Sequence, residues 1–180
     1  MRHWCISTSA KNWEICRDNT VWGMDARYFV TMRRFLKAGD KAIVYTHGGR
    51  FVAIVEFEGE YFYSEEDIGW TKGKDRFLFP YRIRFKLTHE SRNPPQISFS
   101  TEELDNKAQW NKVNLIDDIV FIADKGRTWN QYLQVSIISI TEEDFNTISR
   151  AIMEGQLGAS APSCLKVRNQ ITHAHSHLIP

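Results

Sequence analysis

Long apolar runs are absent from this chain of 180 residues. No run approaches the roughly 18–20 apolar residues that a helix needs to cross a bilayer. The N-terminal stretch MRHWCISTSA also lacks the long apolar segment of a signal peptide. These absences predict a soluble cytoplasmic protein that does not act at a membrane.

Cysteine is scarce, with three residues in the whole chain: Cys5, Cys16 and Cys164. Their odd number and the lack of a CxxC spacing favour reduced thiols over a disulfide framework or a zinc site. The chain also lacks GxSxG, P-loop, HExxH and GxGxxG motifs. We therefore expect no bound metal, no cofactor and no catalytic activity.

Net charge is small, at +1, which argues against strong non-specific binding to nucleic acid. Charge is nevertheless segregated, because residues 54–68 hold six acids and no base, whereas residues 70–92 hold seven bases and two acids. A basic stretch of this kind can steer a polyanion, although it can equally be the solvated face of a strand. The candidate phosphate-binding residues are Lys72, Lys74, Arg76, Arg82 and Arg84.

Hydrophobic periodicity indicates interspersed strands and helices. Strands are predicted at residues 3–9, 40–46, 50–57, 80–89 and 135–140. Helices are predicted at residues 9–18 with Ser9 as N-cap, at 26–37, and at 141–154 with a capping box from Thr141. A turn is expected at residues 19–23 and a long loop at 61–79. The hairpin signal His47-Gly48-Gly49 suggests mixed pairing in a closed or nearly closed sheet.

Tryptophan and asparagine are concentrated near the N-terminus, with two of each between Asn12 and Trp22. An indole supplies a flat apolar wall, and an asparagine amide supplies both a donor and an acceptor. A nucleobase has two π-faces and a polar edge, so this mixture suits a base taken out of its stack.

Three segments resemble the EVE domain, a member of the PUA-like superfamily: TSAKNWEICRDNTVWG, LKAGDKAIVYTHGGRFVAIVEF and FPYRIRF. The resemblance covers about residues 3–150. It implies an α+β fold, a PUA-like mixed β-barrel flanked by short helices. We place this domain at residues 1–154 and expect a flexible tail at 155–180.

EVE domains are similar in fold to YTH domains, which hold a methylated adenine in an aromatic cage. That likeness implies cage walls at Trp22 and Trp70, with Asn12 facing the base edge. It also implies that Ser7 and Thr8 reach the base. The chain departs from the YTH pattern at Gly23, where that family has a hydroxyl residue. Two further candidates for the base pocket come from their surroundings: Tyr81 and Trp129.

Together these features predict a non-catalytic module that binds modified DNA or RNA by receiving one flipped base. Two other functions remain open. One is an RNA-binding accessory module without preference for a modified base, and the other is an enzyme on modified nucleosides, like those of the related ASCH domains. Each candidate residue also has a structural alternative, since a tryptophan can be core and Asn12 can tie a turn.

Overall fold

A computed structural model describes residues 1–95, 98–99, 112–113, 119, 133 and 135–154. The strands are β1 His3–Thr8, β2 Val21–Met24, β3 Lys41–Thr46, β4 Arg50–Tyr63, β5 Thr71–Lys72, β6 Asp75–Arg76, β7 Tyr81–Glu90, β8 Ser98–Phe99, β9 Lys112–Val113 and β10 Ile137–Ile140. The α-helices are α1 Ala10–Asn19, α2 Phe29–Phe35 and α3 Glu142–Glu154, and a 3-10 turn spans Ala26–Tyr28. The predicted tail at 155–180 and Trp129 lie outside the described residues.

One mixed sheet of six strands organises the fold, in the order β10-β1-β3-β4-β7-β2. Strands β1 and β3 are parallel, and the other neighbours are antiparallel. The sheet curls into a half-barrel with β10 and β2 at its two edges. The α+β, PUA-like class predicted from the sequence is therefore confirmed, although the sheet is open between its edge strands.

The two faces of the sheet bury two separate hydrophobic cores. Along β1, Trp4 and Ile6 belong to the first core and Cys5 belongs to the second, because neighbouring side chains of a strand point to opposite faces. The first core is covered by α1 and α2, through residues that include Trp13 and Met32. Helix α3 covers the second core with three buried side chains: Phe145, Ile148 and Ile152.

Local signals placed several elements correctly. The Ser9 hydroxyl accepts a hydrogen bond from the Asn12 backbone N–H at 3.2 Å and begins α1, as its cap position predicts. The Thr141 hydroxyl accepts from the Asp144 N–H at 3.0 Å and begins α3. Strands β3 and β4 form the expected antiparallel hairpin.

Three predictions of local structure were wrong. The turn expected at residues 19–23 ends at Thr20, a left-handed residue with φ of +50°, and Val21–Met24 then forms an edge strand. Strand β4 runs on to Tyr63, since a bulge at Gly59, with φ of +67°, lets it bend without ending. The helix expected at 26–37 is divided into a 3-10 turn and α2.

None of the helices in the described part of the chain combines the length and apolarity that a membrane crossing requires. In the same residues, no three His, Cys, Asp or Glu side chains come together in a way that could hold a metal ion.

Candidate functional site

A cleft opens where the end of β1, the first turn of α1 and strand β2 meet the connection between β4 and β7. We call this connection, residues 64–80, the Trp70 loop, and the cavity of about 320 Å³ the Trp22–Trp70 cleft. Six residues predicted for the site line it: Ser7, Thr8, Asn12, Trp22, Trp70 and Lys72. Residues far apart in sequence are thus brought to one place.

The two predicted cage tryptophans approach the cleft from different faces of β2. Trp22 is paired with Ile83, and the next residue, Gly23, faces the opposite side of the strand. A Cβ atom on Gly23 would lie 2.5 Å from Cη2 and 2.6 Å from Cζ3 of Trp70. The glycine that breaks the YTH pattern is therefore the position that lets the Trp70 ring lie against the backbone of β2.

Both indoles are almost completely enclosed, since Trp22 and Trp70 each expose 2% of their surface. The Nε1–H of Trp22 has no hydrogen-bond acceptor among the described residues, whereas that of Trp70 has the Cys16 sulfur, a weak acceptor, beside it. By contrast, the indole of Trp4 donates to Asp40 at 3.1 Å and that of Trp13 donates to Glu90 at 3.0 Å. A buried donor without an acceptor is rare and costs about 1–3 kcal/mol, so the cleft holds one unsatisfied indole, Trp22, and one weakly satisfied indole, Trp70.

The thiol of Cys16 lies at the inner wall of the cleft, beside the Trp70 indole. Burial raises the pKa of this thiol to about 12. It is therefore protonated near neutral pH, and a thiol in that state is a poor nucleophile. Cys16 is thus in a structural environment.

Asn12 is hydrogen-bonded to the Trp70 loop through both halves of its amide. Its Nδ2 donates to the Thr71 carbonyl at 2.7 Å, and its Oδ1 accepts from the Thr71 N–H at 2.9 Å. This pair of bonds joins α1 to the residue directly after Trp70. The alternative considered from the sequence, that Asn12 ties a turn, is the arrangement found here, and one N–H of the amide remains for any other partner.

Arg82 lies beneath the same loop and is 2% exposed. Its guanidinium donates to the Phe79 carbonyl at 3.1 Å, to the Ser64 hydroxyl at 3.1 Å and to the Glu66 carbonyl. Its Cζ also lies 4.9 Å from the centre of the Trp70 ring. A phosphate contact needs an exposed guanidinium, so the role predicted for Arg82 is corrected to supporting Trp70 and the loop.

The other predicted cations are exposed, and most have partners. Lys72 Nζ lies 3.6 Å from Asp25 Oδ2 at the rim of the cleft, and Arg76 pairs with Asp67 at 3.3 Å. Arg84 lies over the ring of Phe62. Lys74 is exposed in the turn between β5 and β6.

One aromatic candidate, Tyr81, is not brought into the cleft. Tyr81 is half-buried and packs against Phe29 and Tyr63, away from the residues that line the cavity. Trp129 is not among the described residues, so its assignment stays a prediction.

The cleft has a charged rim that the sequence reasoning did not assign. Asp25 accepts the Arg27 N–H at 3.0 Å, which begins the 3-10 turn, and pairs with the Arg27 guanidinium at 2.6 Å. Hydrogen bonds from Arg27 hold the pKa of the Asp25 carboxyl below its ordinary value. Nothing near residue 25 in the sequence indicates that this carboxylate lies beside Lys72.

His47 adds a titratable group to the same rim, at the hairpin between β3 and β4. The backbone N–H of His47 donates to the Thr8 carbonyl at 2.9 Å, and this bond joins the hairpin to the end of β1. Partial burial lowers the pKa of its imidazole.

Comparison with known proteins gives a family match. A sequence model described as the EVE domain matches residues 2–151. The UPF0310 protein PH1033 of Pyrococcus horikoshii is 24% identical over 163 aligned residues, which cover 85% of this chain and 100% of that protein. The resemblance seen in the sequence is therefore confirmed.

Solved structures match the fold at low identity. The crystal structure of the Mmi1 YTH domain gives a TM-score of 0.56 at 11% identity, covering 87% of this chain and 91% of that one. A crystal structure of the Mmi1 YTH domain in complex with RNA gives 0.51 at 12% identity, covering 85% and 80%. Protein Atu2648 of Agrobacterium tumefaciens gives 0.51 at 16%, covering 83% and 92%. These similarities establish the fold.

Proposed function

Because this chain belongs to the EVE domain family, we propose that residues 1–154 form a non-catalytic nucleic-acid-binding module. Its Trp22–Trp70 cleft receives a single modified base that is flipped out of its strand. The observation that carries the proposal is one cavity of about 320 Å³ lined by two tryptophans, two hydroxyl residues of β1 and a lysine. Cavities of that size accept small planar ligands.

The residues of the cleft suit the parts of a nucleotide. Indole rings stack with a base for about 1–3 kcal/mol. A buried methyl group adds only about 0.8 kcal/mol, so the polar edge of the base must supply much of the selectivity. The N–H groups of Trp22 and Trp70 and the hydroxyl of Thr8 are candidates to pair with that edge, whereas the Ser7 hydroxyl already donates to the Leu133 carbonyl and can only accept.

Because Trp22 and Trp70 lie against opposite faces of β2, they do not enclose a base in this state, and stacking of a base on Trp70 requires the Trp70 loop to move. Each indole exposes only 2% of its surface, so neither offers an open face in this state. The loop is held by a few polar contacts, those of Asn12 with Thr71 and of Arg82 with Ser64, Glu66 and Phe79. Base entry would exchange part of the Trp70 packing for stacking on the base and would give the two indole N–H groups acceptors.

The YTH relative supports a nucleic-acid ligand, because the Mmi1 YTH domain has been crystallised in complex with RNA. A second candidate function is RNA binding without preference for a modified base, which the same relative favours. The buried thiol of Cys16, with its raised pKa, gives no support to thiol catalysis in the cleft.

The proposal can be tested by ¹⁵N–¹H NMR of the indole N–H signals, of which the chain has six. The ligands are short single-stranded oligonucleotides, as DNA and as RNA, each with one plain, N6-methylated adenine or 5-substituted cytosine base. We expect one modified base to shift the Trp22 and Trp70 signals. The Trp4 and Trp13 signals serve as internal controls, because those indoles are already bonded to Asp40 and Glu90.

The outcomes separate the candidate functions without a substitution in the core. Shifts of the two cleft indoles by one modified base alone support the proposal. Equal shifts by plain bases in RNA favour the accessory RNA-binding function. If no oligonucleotide moves either cleft indole, the cleft does not bind a base and the proposal is wrong.

A further inference from the structure

A second basic surface lies on the segment that follows the cleft rim. Residues 26–38 contain four basic side chains and no acid: Arg27, Arg33, Arg34 and Lys37. The side chains of Arg33, Arg34 and Lys37 are exposed on and after α2, and Arg2 is exposed beside them. The sequence reasoning assigned no role to these residues.

Arg27 pairs with Asp25, but the other cations of this surface have no acidic partner, unlike Lys72 and Arg76 of the Trp70 loop. Across the described part of the chain, no carboxylate lies within 4.0 Å of the side-chain nitrogens of Arg2, Arg33, Arg34 or Lys37. Their charge is therefore not held in a direct ion pair, and their exposed side chains can reach an anion from solution.

The surface has a defined shape, a depression of about 470 Å³ that we call the Arg34 depression. Arg2, Arg34, Lys37 and the ring of Phe35 line it, together with Asp40 and Glu56. Phe35 is 42% exposed although it is apolar, and the Arg2 guanidinium lies 5.2 Å from its ring centre.

Asp40 holds this depression together from below. It is 2% exposed, and its carboxylate accepts from the Arg2 N–H at 2.7 Å, the Lys37 N–H at 3.1 Å and the Trp4 indole at 3.1 Å. The backbones that carry Arg2 and Lys37 are thus fixed to one buried group, while their cationic ends stay in solvent.

The depression is connected to the Trp22–Trp70 cleft through one short segment. Arg27 lines the cleft and Arg34 lines the depression, with the 3-10 turn and α2 between them. At a helical rise of 1.5 Å per residue, these seven steps span roughly 10 Å. A stacked strand advances about 3.4 Å per nucleotide and an extended strand advances more, so the interval corresponds to three nucleotides or fewer.

Resting on the proposed function, we propose that the Arg34 depression binds backbone phosphates of the same nucleic acid, within about three nucleotides of the base in the cleft. Unpaired cations, an exposed aromatic ring and a fixed connection to the cleft rim are what a phosphate track needs. A membrane surface would also attract the cations, but it would not explain their position beside a base-sized cleft.

The test compares two double variants. Arg34→Gln/Lys37→Gln removes two cations of the depression, and Arg92→Gln/Arg150→Gln removes two exposed cations elsewhere. The probes are a single-stranded oligonucleotide of about twelve nucleotides with one modified base, and the free modified nucleoside. Affinity for each is measured between about 50 and 200 mM salt.

For the depression variant we expect the slope of log K against log salt to fall by about 1.4, which is 0.7 for each lost phosphate contact to a single strand. At about 0.1 M salt this corresponds to roughly 10- to 30-fold weaker oligonucleotide binding. Nucleoside affinity and the slope of the Arg92/Arg150 control should not change.

Each other outcome identifies what failed. If the depression variant keeps the wild-type salt slope and binds the nucleoside normally, the Arg34 depression does not bind phosphates, and the proposed base-binding cleft is unaffected. If the variant has a reduced salt slope but neither it nor the wild type binds the nucleoside, the result supports phosphate binding in the depression and contradicts the base-binding cleft. Loss of nucleoside affinity in the depression variant would mean that these residues act on the cleft, which overturns a separate phosphate site. Binding to anionic lipid vesicles that depends on these residues, with no effect on the oligonucleotide, would also overturn it.

Discussion

The molecule has two basic regions that look alike in the sequence and differ in the structure. In the first, around the Trp70 loop, Arg82 is buried, Lys72 faces Asp25 and Arg76 faces Asp67. In the second, the Arg34 depression, the cationic groups have no acidic partner among the described residues. A count of basic residues therefore favoured the first region, although more unpaired charge lies in the second.

The difference shows that a cation has two separate uses. A guanidinium enclosed by carbonyl groups stabilises a loop, because each of its bonds replaces one that it would make to water. An exposed guanidinium without a partner contributes little to stability but retains its electrostatic potential. The predictions below test whether the two regions differ in this way.

The largest difference should come from Arg82→Met compared with Arg34→Met. Arg82→Met removes three hydrogen bonds and the contact with Trp70, so we expect the free energy of unfolding to fall by about 2–4 kcal/mol. Arg34→Met should stay within about 0.5 kcal/mol of the wild type. Urea denaturation measures both. Equal effects would remove the distinction between the two regions.

Gly23→Ala tests how tightly the first region is packed. The new Cβ would lie within 2.7 Å of both Trp70 and Phe79, so β2 or both of these residues must shift, at a cost of about 1–3 kcal/mol. Thermal unfolding should show a lower Tm. Adding Trp70→Phe removes the Cη2 and Cζ3 atoms that clash, and should recover part of the loss. If the loss of stability in the double variant equals the sum of the losses in Gly23→Ala and Trp70→Phe, the clash with Trp70 is not the cause.

Asn12→Ala tests the connection between α1 and the Trp70 loop. It removes two hydrogen bonds to Thr71, and we expect a loss of about 1–2 kcal/mol together with faster hydrogen exchange at the Thr71 amide. Asn19→Ala is the matched control, since Asn19 bonds only to Ile15 within the same helix. Unchanged exchange at Thr71 in Asn12→Ala would show that this amide does not hold the loop.

A small effect on stability is expected from Asp25→Asn. This change removes a carboxylate from the cations near the Trp70 loop, so that they become unpaired like those of the Arg34 depression. The change leaves Lys72 and Arg27 without their carboxylate, so binding to an oligonucleotide should tighten, and its salt slope should steepen by about 0.7 per released cation. Salt titrations measure this change. A slope equal to that of the wild type would show that Asp25 does not mask the two cations.

The same variant has a pH signature. Because Arg27 lowers the pKa of Asp25 in the folded state, the ionised carboxylate stabilises the fold above the ordinary aspartate pKa of about 3.9. This stabilisation is lost as the pH falls through the lowered value. At neutral pH we expect the free energy of unfolding of the wild type to exceed that of Asp25→Asn by less than about 1 kcal/mol. The difference in Tm between the two proteins should shrink below about pH 4.

Much of the fold could be predicted because its signals are local. The caps at Ser9 and Thr141 depend on residues three positions apart, and β7 follows a period of two. The resemblance to EVE and YTH domains also predicted that Trp22 and Trp70 lie near each other, and both line one cleft. Local signals failed where a distant segment decides the outcome. Arg82 occupies a position that alternation assigns to the solvent face, and it is buried because the Trp70 loop folds over it.

Asn12 is a second example of the same limit. Its partner Thr71 is 59 residues away, and no spacing near residue 12 indicates that contact. The Arg34 depression was missed for a different reason. Its charges are spread over residues 2–37 and become one surface only when Asp40 fixes the two ends of that segment.

The burial of Cys16 and Cys5 in separate cores gives the protein two internal reporters of opening. Cys16 lies in the first core against Trp70, and Cys5 lies in the second, on the other face of the sheet. Burial raises the pKa of both thiols to about 12, so neither should react with a thiol reagent while the fold is closed. Release of the Trp70 loop alone would expose Cys16 and leave Cys5 protected. The ratio of the two labelling rates therefore measures how often the cleft opens without the protein unfolding.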